Sequence, residues 1–284
     1  MSNFRDAHSP LTWFRHWVDT RGNQPFLTQP LADGSILDYS WSEVDNQARR
    51  IAAYLKAQDI PAHSQVALMS KNCAEWIITD LAIWMAGHVS VPLYPTLAAE
   101  SVAQIITHSE SKFIFVGRLD DWETMKEGVP ADMPGVAFSM APDSAKAKYT
   151  LLPDVVTGPE PLAIADVDNR DKDALATLVY TSGSTGVPKG VMHSFGTISG
   201  NAKGGRQQIG MGDNERMLSY LPLAHVAERG AVEVHGLYNG YHIFFNDSLK
   251  TFLDDLRRAK PTLFFSVPRL WTKFRSGVLE KMPE

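Results

Sequence analysis

Tyr180-Thr181-Ser182-Gly183-Ser184-Thr185-Gly186-Val187-Pro188-Lys189-Gly190 follows directly on the apolar run 174–179. The ten residues 181–190 hold four hydroxyls, three glycines and one lysine. That composition suits a loop that holds phosphate. Glycines reach φ > 0 without steric cost, so successive backbone N–H groups can converge on an anion. Thr181, Ser182, Ser184 and Thr185 add short hydroxyl donors. Lys189 adds a point charge on a flexible stem, and Pro188 stiffens the exit. The spacing is not that of a Walker A loop, because Gly183 and Gly186 are too close and Pro188 precedes the lysine. A G-x-G-x-x-G fingerprint is absent as well.

Upstream of this stretch, apolar strands alternate with amphipathic helices. Residues 42–56 carry Val44, Ala48, Ile51, Ala52 and Leu55 at helical spacing. Strand 65–69, a helix over 73–86 with Asn72 as its N-cap and Gly87 just past its end, strand 89–93, helix 98–108 and strand 112–116 follow. Two consecutive βαβ units predict a parallel sheet with helices on both faces. The pattern weakens over 117–173, which places a lobe boundary near residue 170. The expected organisation is an α/β lobe over 1–170 and a partial second α/β lobe over 171–284 that carries the phosphate loop.

In the second lobe the spacing predicts a strand around 190–193 and a helix from Ser194 or Phe195 to Gly204-Gly205. Strand 217–221, a helix over 225–238 and strand 242–245 come next. Ser248 is the expected cap of a helix bearing Leu249, Phe252, Leu253 and Leu256, which Pro261 ends. A buried strand over 262–266 and a last helix with Trp271, Phe274 and Val278 complete the pattern. The segments after strands 174–180, 217–221 and 262–266 all begin at carboxyl ends. In open α/β sheets ligands bind outside those ends, so the three segments are expected to meet at one site.

Composition bounds the rest. Of the 284 residues, 44% are hydrophobic and 21% charged, with a net charge of −5. These values fit a globular chain with a sizeable core and show no nucleic-acid footprint. Cys73, the one cysteine, forms no internal disulfide, in keeping with a reducing compartment, and is expected in the core. The polar N-terminus lacks the apolar run of a signal peptide, and the apolar stretch 76–94 is too interrupted for a membrane span. The expected location is the cytoplasm, with contact to a membrane surface left open. No C-x-x-C, H-E-x-x-H or other metal-ligand spacing occurs. Asp254-Asp255 reads as a solvated helix face, and Met211-Gly212-Asp213 as a turn.

The phosphate-loop stretch resembles [YF]-T-S-G-[ST]-T-G-x-P-K-G, the signature of the adenylate-forming superfamily, at every specified position. Leu221-Pro222-Leu223-Ala224-His225-Val226-Ala227-Glu228-Arg229 is similar to the L-P-L-x-H-x-x-E-R segment of long-chain fatty acyl-CoA synthetases. Val267-Pro268-Arg269-Leu270-Trp271-Thr272-Lys273-Phe274 resembles their V-P-R-x-[WY]-x-K-[FL] stretch, and Val91-Pro92-Leu93-Tyr94-Pro95-Thr96 an upstream element. The resemblance implies an ATP-dependent fatty acid–CoA ligase whose substrates are long-chain fatty acids, ATP and coenzyme A, with Mg2+ as cofactor.

In that family a carboxylate attacks the α-phosphorus of ATP to give acyl-adenylate and pyrophosphate, and a thiol then takes the acyl group. The resemblance assigns nucleotide contacts to Thr181, Ser182, Gly183, Ser184, Thr185, Gly186 and Lys189. It makes Thr181 the hydroxyl nearest the metal, and Lys189 and His225 the catalytic side chains. On spacing alone His225 reads first as a helix-start histidine held by its own backbone, and it is the resemblance that turns the reading toward a ligand role. For Glu228 and Arg229 a local ion pair or an interface role is expected instead of chemistry.

The family's Y-G-x-[ST]-E and T-G-D segments are not found after Arg269, nor is a C-terminal domain with its catalytic lysine. The chain is therefore expected to be the N-terminal part of a longer synthetase, inactive by itself. Alternatives are a stand-alone nucleotide- or acyl-binding remnant and a ligase for another carboxylic acid.

Overall fold

The computed structural model describes residues 3–181 and 188–279. The chain opens with α1 (Pro10–Arg21), the hairpin β1 (Pro25–Pro30) and β2 (Ile36–Ser40), and α2 (Trp41–Lys56). Ser40 and Glu43 cap α2 reciprocally, each side chain taking the other's backbone N–H, an arrangement typically worth about 1 kcal/mol. The βαβ units follow as β3 (Gln65–Met69), α3 (Ala74–Met85), β4 (Val89–Leu93), α4 (Ala99–Ser109) and β5 (Phe113–Val116). Gly87 ends the α3 region with φ +83°, a conformation open to glycine.

The stretch that looked patternless holds short elements: α5 (Trp122–Met125), β6 (Gly135–Ala137), α6 (Asp143–Lys148), β7 (Thr150–Leu151) and α7 (Leu152–Thr157). Next come β8 (Leu175–Thr181), β9 (Lys189–Ser194), α8 (Phe195–Ile209) and β10 (Arg216–Ser219). A helical segment then runs as α9 (Val226–Glu228), a π-helical turn (Arg229–Val234) and α10 (His235–Asn239). The last elements are β11 (His242–Phe245), α11 (Phe252–Ala259) and α12 (Pro268–Leu279).

Two sheets form. The larger has the order β7-β6-β5-β3-β4-β8-β9, parallel except for β9. The smaller has the order β10-β11-β1-β2, with β2 antiparallel. Sheet membership crosses residue 170: β8 hydrogen-bonds to β4, while β1 pairs with β11. Helix α3 touches β1, β3 and β4, and every one of its residues is buried. Its Trp76 and Trp84 are fully enclosed, and removing such side chains from water stabilises by about 1.5–3 kcal/mol each. Among the described residues no helix is long and apolar enough to cross a membrane.

Several expectations are corrected. Asn72 does not cap α3; Cys73 holds the N-cap position without a side-chain bond, and Asn72 is engaged elsewhere, as described below. Helix α8 runs through Gly204-Gly205 to Ile209. A Cβ at position 205 would lie 2.4 Å from the His235 ring, so close helix packing selects glycine there. Ser248 shapes a turn, and α11 starts only at Phe252.

Residues 262–266 form no strand. The Thr262 and Leu263 amides both aim at the single Arg216 carbonyl, and one such contact does not make a ladder. Asp255 is buried, not solvated. It accepts from Asn246, the Asp247 amide, Thr251 and Arg258, whereas Asp254 is exposed.

Candidate active site

The β8–β9 hairpin builds the first wall. Thr181 pairs directly with Lys189 in its antiparallel register, and both are exposed. Opposed residues in such a ladder stand about 5 Å apart at Cβ, so both ends of the phosphate-loop stretch are fixed by strand pairing. Ser182, Gly183, Ser184, Thr185 and Gly186 lie outside the described residues. Beneath the hairpin, the buried Tyr180 hydroxyl meets His108 Nδ1 at 2.7 Å. Its ring passes under Gly190, where a Cβ would sit 3.0 Å from Tyr180 Cζ.

The second wall is the turn after β10. His225 caps α9 with Nδ1, which accepts the Ala227 amide at 3.1 Å. In the neutral imidazole that bond puts the ring proton on Nε2, where it can donate to a ligand. The helix-cap role and a ligand-facing role are thus compatible. The His225 ring is exposed and meets the Tyr94 ring edge-on at 6.3 Å, which joins the 91–96 and 221–229 segments. Tyr220 joins the third segment: its hydroxyl donates to Ser266 Oγ at 3.1 Å and its ring stacks on Phe264. The Arg269 side chain lies outside the described residues.

Asn72, at the carboxyl end of β3, sets the shape of that turn. Its Nδ2 donates to Ser219 Oγ at 2.7 Å and to the Leu221 carbonyl at 2.6 Å. Its Oδ1 accepts the Leu223 amide at 2.9 Å. Ser219 in turn donates to Glu228 Oε1 at 3.0 Å, which also accepts the Tyr220 amide at 2.9 Å. Burial pushes the Glu228 carboxyl up to about 8, against the lowering by Ser219 and the Tyr220 and Leu221 amides. Glu228 thus braces the loop from inside and makes no ion pair with Arg229. Asn72→Leu is expected to cost about 2–3 kcal/mol, because it strands a buried amide and carbonyl. The urea midpoint of the variant checks this, and a shift below about 0.5 kcal/mol contradicts the bracing role.

Two clefts border the segment after His225. One, of about 110 Å3, is lined by Thr177, Val179 and His193 from the hairpin and by Val226, Arg229 and Gly230. The other, of about 320 Å3, is lined by Met211, Met217, Ala227, Ala231, His235 and Phe265, among others. They share Asn201, Val226 and Gly230. A Cβ on Gly230 would find only Asn201 Oδ1, at 3.7 Å. Val232, in the same helical segment, is fully buried away from both clefts, and Gly236 packs toward Ile243. A larger cleft, of about 690 Å3, opens beside α4 and α5 with Lys126 and Lys148 on its rim, and carries none of the motif segments.

The structure therefore brings Thr181 to Lys189, and His225 to Tyr94, and the hairpin and the post-His225 helix share a cleft. Sequence reasoning missed Asn72 as a hub, the π-turn, and the buried partners of Arg229. Cys73 is enclosed, and burial together with Glu75 pushes its thiol up to about 12, so it is a core residue and not a nucleophile. Among the described residues no group of three acidic, histidine or cysteine side chains could hold a metal.

Comparison with known proteins agrees with this architecture. Residues 14–283 match the AMP-binding enzyme family. Long chain acyl-CoA synthetase 6, peroxisomal, of Arabidopsis thaliana is 31% identical over 285 residues, covering 94% of this chain and 40% of that protein. Long-chain-fatty-acid–CoA ligase FadD15 of Mycobacterium bovis is 32% identical over 252 residues, covering 87% and 42%. The chain thus spans about two-fifths of the length of these curated relatives. Among solved structures, the anthranilate CoA ligase AuaEII in complex with anthranoyl-AMP superposes with a TM-score of 0.81 at 19% identity, over 93% of this chain and 51% of that one. The adenylation domain of a carboxylate reductase from Mycobacterium chelonae gives 0.79 at 21% identity, over 99% and 50%. Both likenesses are of fold. Because the family match runs from within α1 to beyond α12, across both sheets and both clefts, the chain belongs to the AMP-binding enzyme family.

Proposed function

We propose that this chain is the carboxylate-activating part of an ATP-dependent long-chain fatty acid–CoA ligase. The observation that carries the reading is the hairpin register. It sets Thr181 opposite Lys189 at the two ends of the phosphate-loop stretch, on a wall whose inner residues line the same cleft as the helix after His225. The fatty acid carboxylate attacks the α-phosphorus, the bond to the bridging oxygen of pyrophosphate breaks, and acyl-adenylate remains. Negative charge on the phosphates has to be met by donors placed beforehand. We assign this task to the Thr181 hydroxyl and the Lys189 ammonium, whose ladder pairing supports the assignment. His225 Nε2–H is suited to hold a carboxylate or phosphate oxygen.

Mg2+ would arrive on the nucleotide's phosphates, keeping most of its other oxygens as water, and the Thr181 hydroxyl would be the protein group to hold it, neutralising phosphate charge. Coenzyme A enters only as acceptor of the acyl group in the second half-reaction.

The two clefts, adjacent at Asn201, Val226 and Gly230, are the proposed acyl tunnel. Each methylene buried there adds roughly 0.8 kcal/mol until the space is full. In the complete enzyme Ala231→Trp is expected to block the larger cleft and abolish activity with long-chain acids while sparing short ones. A chain-length series of kcat/KM checks this. Intact long-chain activity in the variant, or acetate as the best substrate of the parent, contradicts the assignment.

A further inference from the structure

Three charged side chains are sealed together where α3, β8 and the π-turn meet. Asp80 and Glu233 are completely buried and Arg229 is 4% exposed. Arg229 donates from Nε to Glu233 Oε2 at 2.9 Å, from Nη1 to Thr177 Oγ1 at 2.6 Å, and from Nη2 to Asp80 Oδ2. The Trp76 and Trp84 ring centroids lie 5.5 and 5.3 Å from the guanidinium carbon. Two ionised carboxylates against one guanidinium would leave one negative charge uncompensated in the interior. Such a charge costs several kcal/mol, and buried groups neutralise instead. His193, from β9, does not supply the missing positive charge, because burial and Arg229 both lower its pKa. From β8 only the neutral Thr177 reaches the cluster.

A second observation points the same way. Asp80 Oδ1 and Glu233 Oε1 are both buried without a hydrogen-bond partner. One proton on this pair brings the cluster to neutrality, and the two carboxyl groups lie close enough to hydrogen-bond to each other through it. Burial, the charge of Asp80 and a hydrogen bond to the Asp80 carboxyl hold Glu233 well above the usual carboxylate range, more than Arg229 lowers it.

We propose that Asp80 and Glu233 share one proton opposite Arg229, and that this neutral triad positions the π-turn that walls both clefts. Gly230 and Ala231 lie between Arg229 and Glu233 in the turn, and the His235 amide closes it on the Gly230 carbonyl. Fixing Arg229 and Glu233 therefore fixes which residues face the clefts.

The test uses the full-length enzyme and infrared difference spectroscopy of the protonated-carboxyl stretch near pH 7. Wild type minus Glu233→Gln is expected to show one protonated-carboxyl band, while the band of Glu228 is common to both and cancels. Asp80→Asn is expected to lose the same band, since the carboxyl left alone ionises against Arg229. No band in the wild-type difference, or a band that survives Asp80→Asn, overturns the shared proton.

The pH dependence has a fixed sign. A carboxyl raised above 4.5 in the folded state contributes its stability fully below pH 4.5 and loses it as pH rises toward the folded-state value. Glu233→Gln is therefore expected to gain stability relative to wild type as pH rises, and a gap independent of pH contradicts the proposal. The positioning role is read from Arg229→Lys, which keeps the charge but loses the fork. Its KM for a long-chain acid is expected to rise about tenfold with KM for ATP little changed; equal effects on both, or on neither, overturn it. That last arm rests on the acyl reading of the clefts, whereas the spectroscopic arm does not, so the two can fail separately.

Discussion

Lys189→Ala in the complete enzyme is expected to lower fatty-acid-dependent ATP–pyrophosphate exchange by about 10²–10³-fold, while fatty-acid affinity stays nearly constant. Lys189 opens β9, and its ladder partner Thr181 closes β8. Both ends of the loop are therefore held before nucleotide arrives, and neither residue lines the two clefts. A preorganised donor to charge that grows in the transition state contributes on the order of 3 kcal/mol to the barrier. A change confined to the barrier appears in kcat and not in acid binding. Thr181→Ala is expected to act in the same direction. Unchanged exchange rates in both variants would remove the hairpin from the chemistry.

Arg229→Ala is expected to destabilise the fold by about 3–5 kcal/mol, because it leaves Asp80 and Glu233 buried without their cation. Typical domains are held by only about 5–15 kcal/mol, so this is a large share of the total. The Arg257–Asp254 pair provides the contrast. Its side chains are 77% and 71% exposed, and Arg257→Ala is expected to shift stability by less than about 1 kcal/mol. Urea unfolding of the full-length protein and both variants, compared at constant slope, measures the difference. Equal midpoints for Arg229→Ala and Arg257→Ala would show that the buried triad is not a structural joint.

The βαβ alternation and the ordered segments were legible in the sequence because both are local signals. Strands β3, β4 and β5 sit within about a residue of their expected bounds, and the helices between them are where periodicity put them. What escaped is non-local. The pairing of Leu27 with Ile243 brings the first strand beside the last among the described residues, and no window of neighbouring residues contains that. Arg229 and Asp80 stand 149 positions apart, so the sequence offered Arg229 only a local ion pair or an interface role and not a sealed one.

Asn72 had the right residue type for an N-cap at the right place, but its amide meets Leu221 and Leu223 of the other sheet's connection. Adjacent helix residues point about 100° apart, which lets Asp254 face water while Asp255 is buried. The run 262–266 had strand composition, yet the edge of β10 offers it a single carbonyl, and short apolar runs do not distinguish the two outcomes.

The proposed chemistry of this site is the joining of a fatty acid to AMP. Its most direct test is mass spectrometry of the products formed by the complete enzyme from ATP, Mg2+ and palmitate before coenzyme A is added. Palmitoyl-AMP and an equal amount of pyrophosphate are expected. ATP turned over to ADP and phosphate, with no acyl-AMP from acetate, octanoate or palmitate, would contradict it.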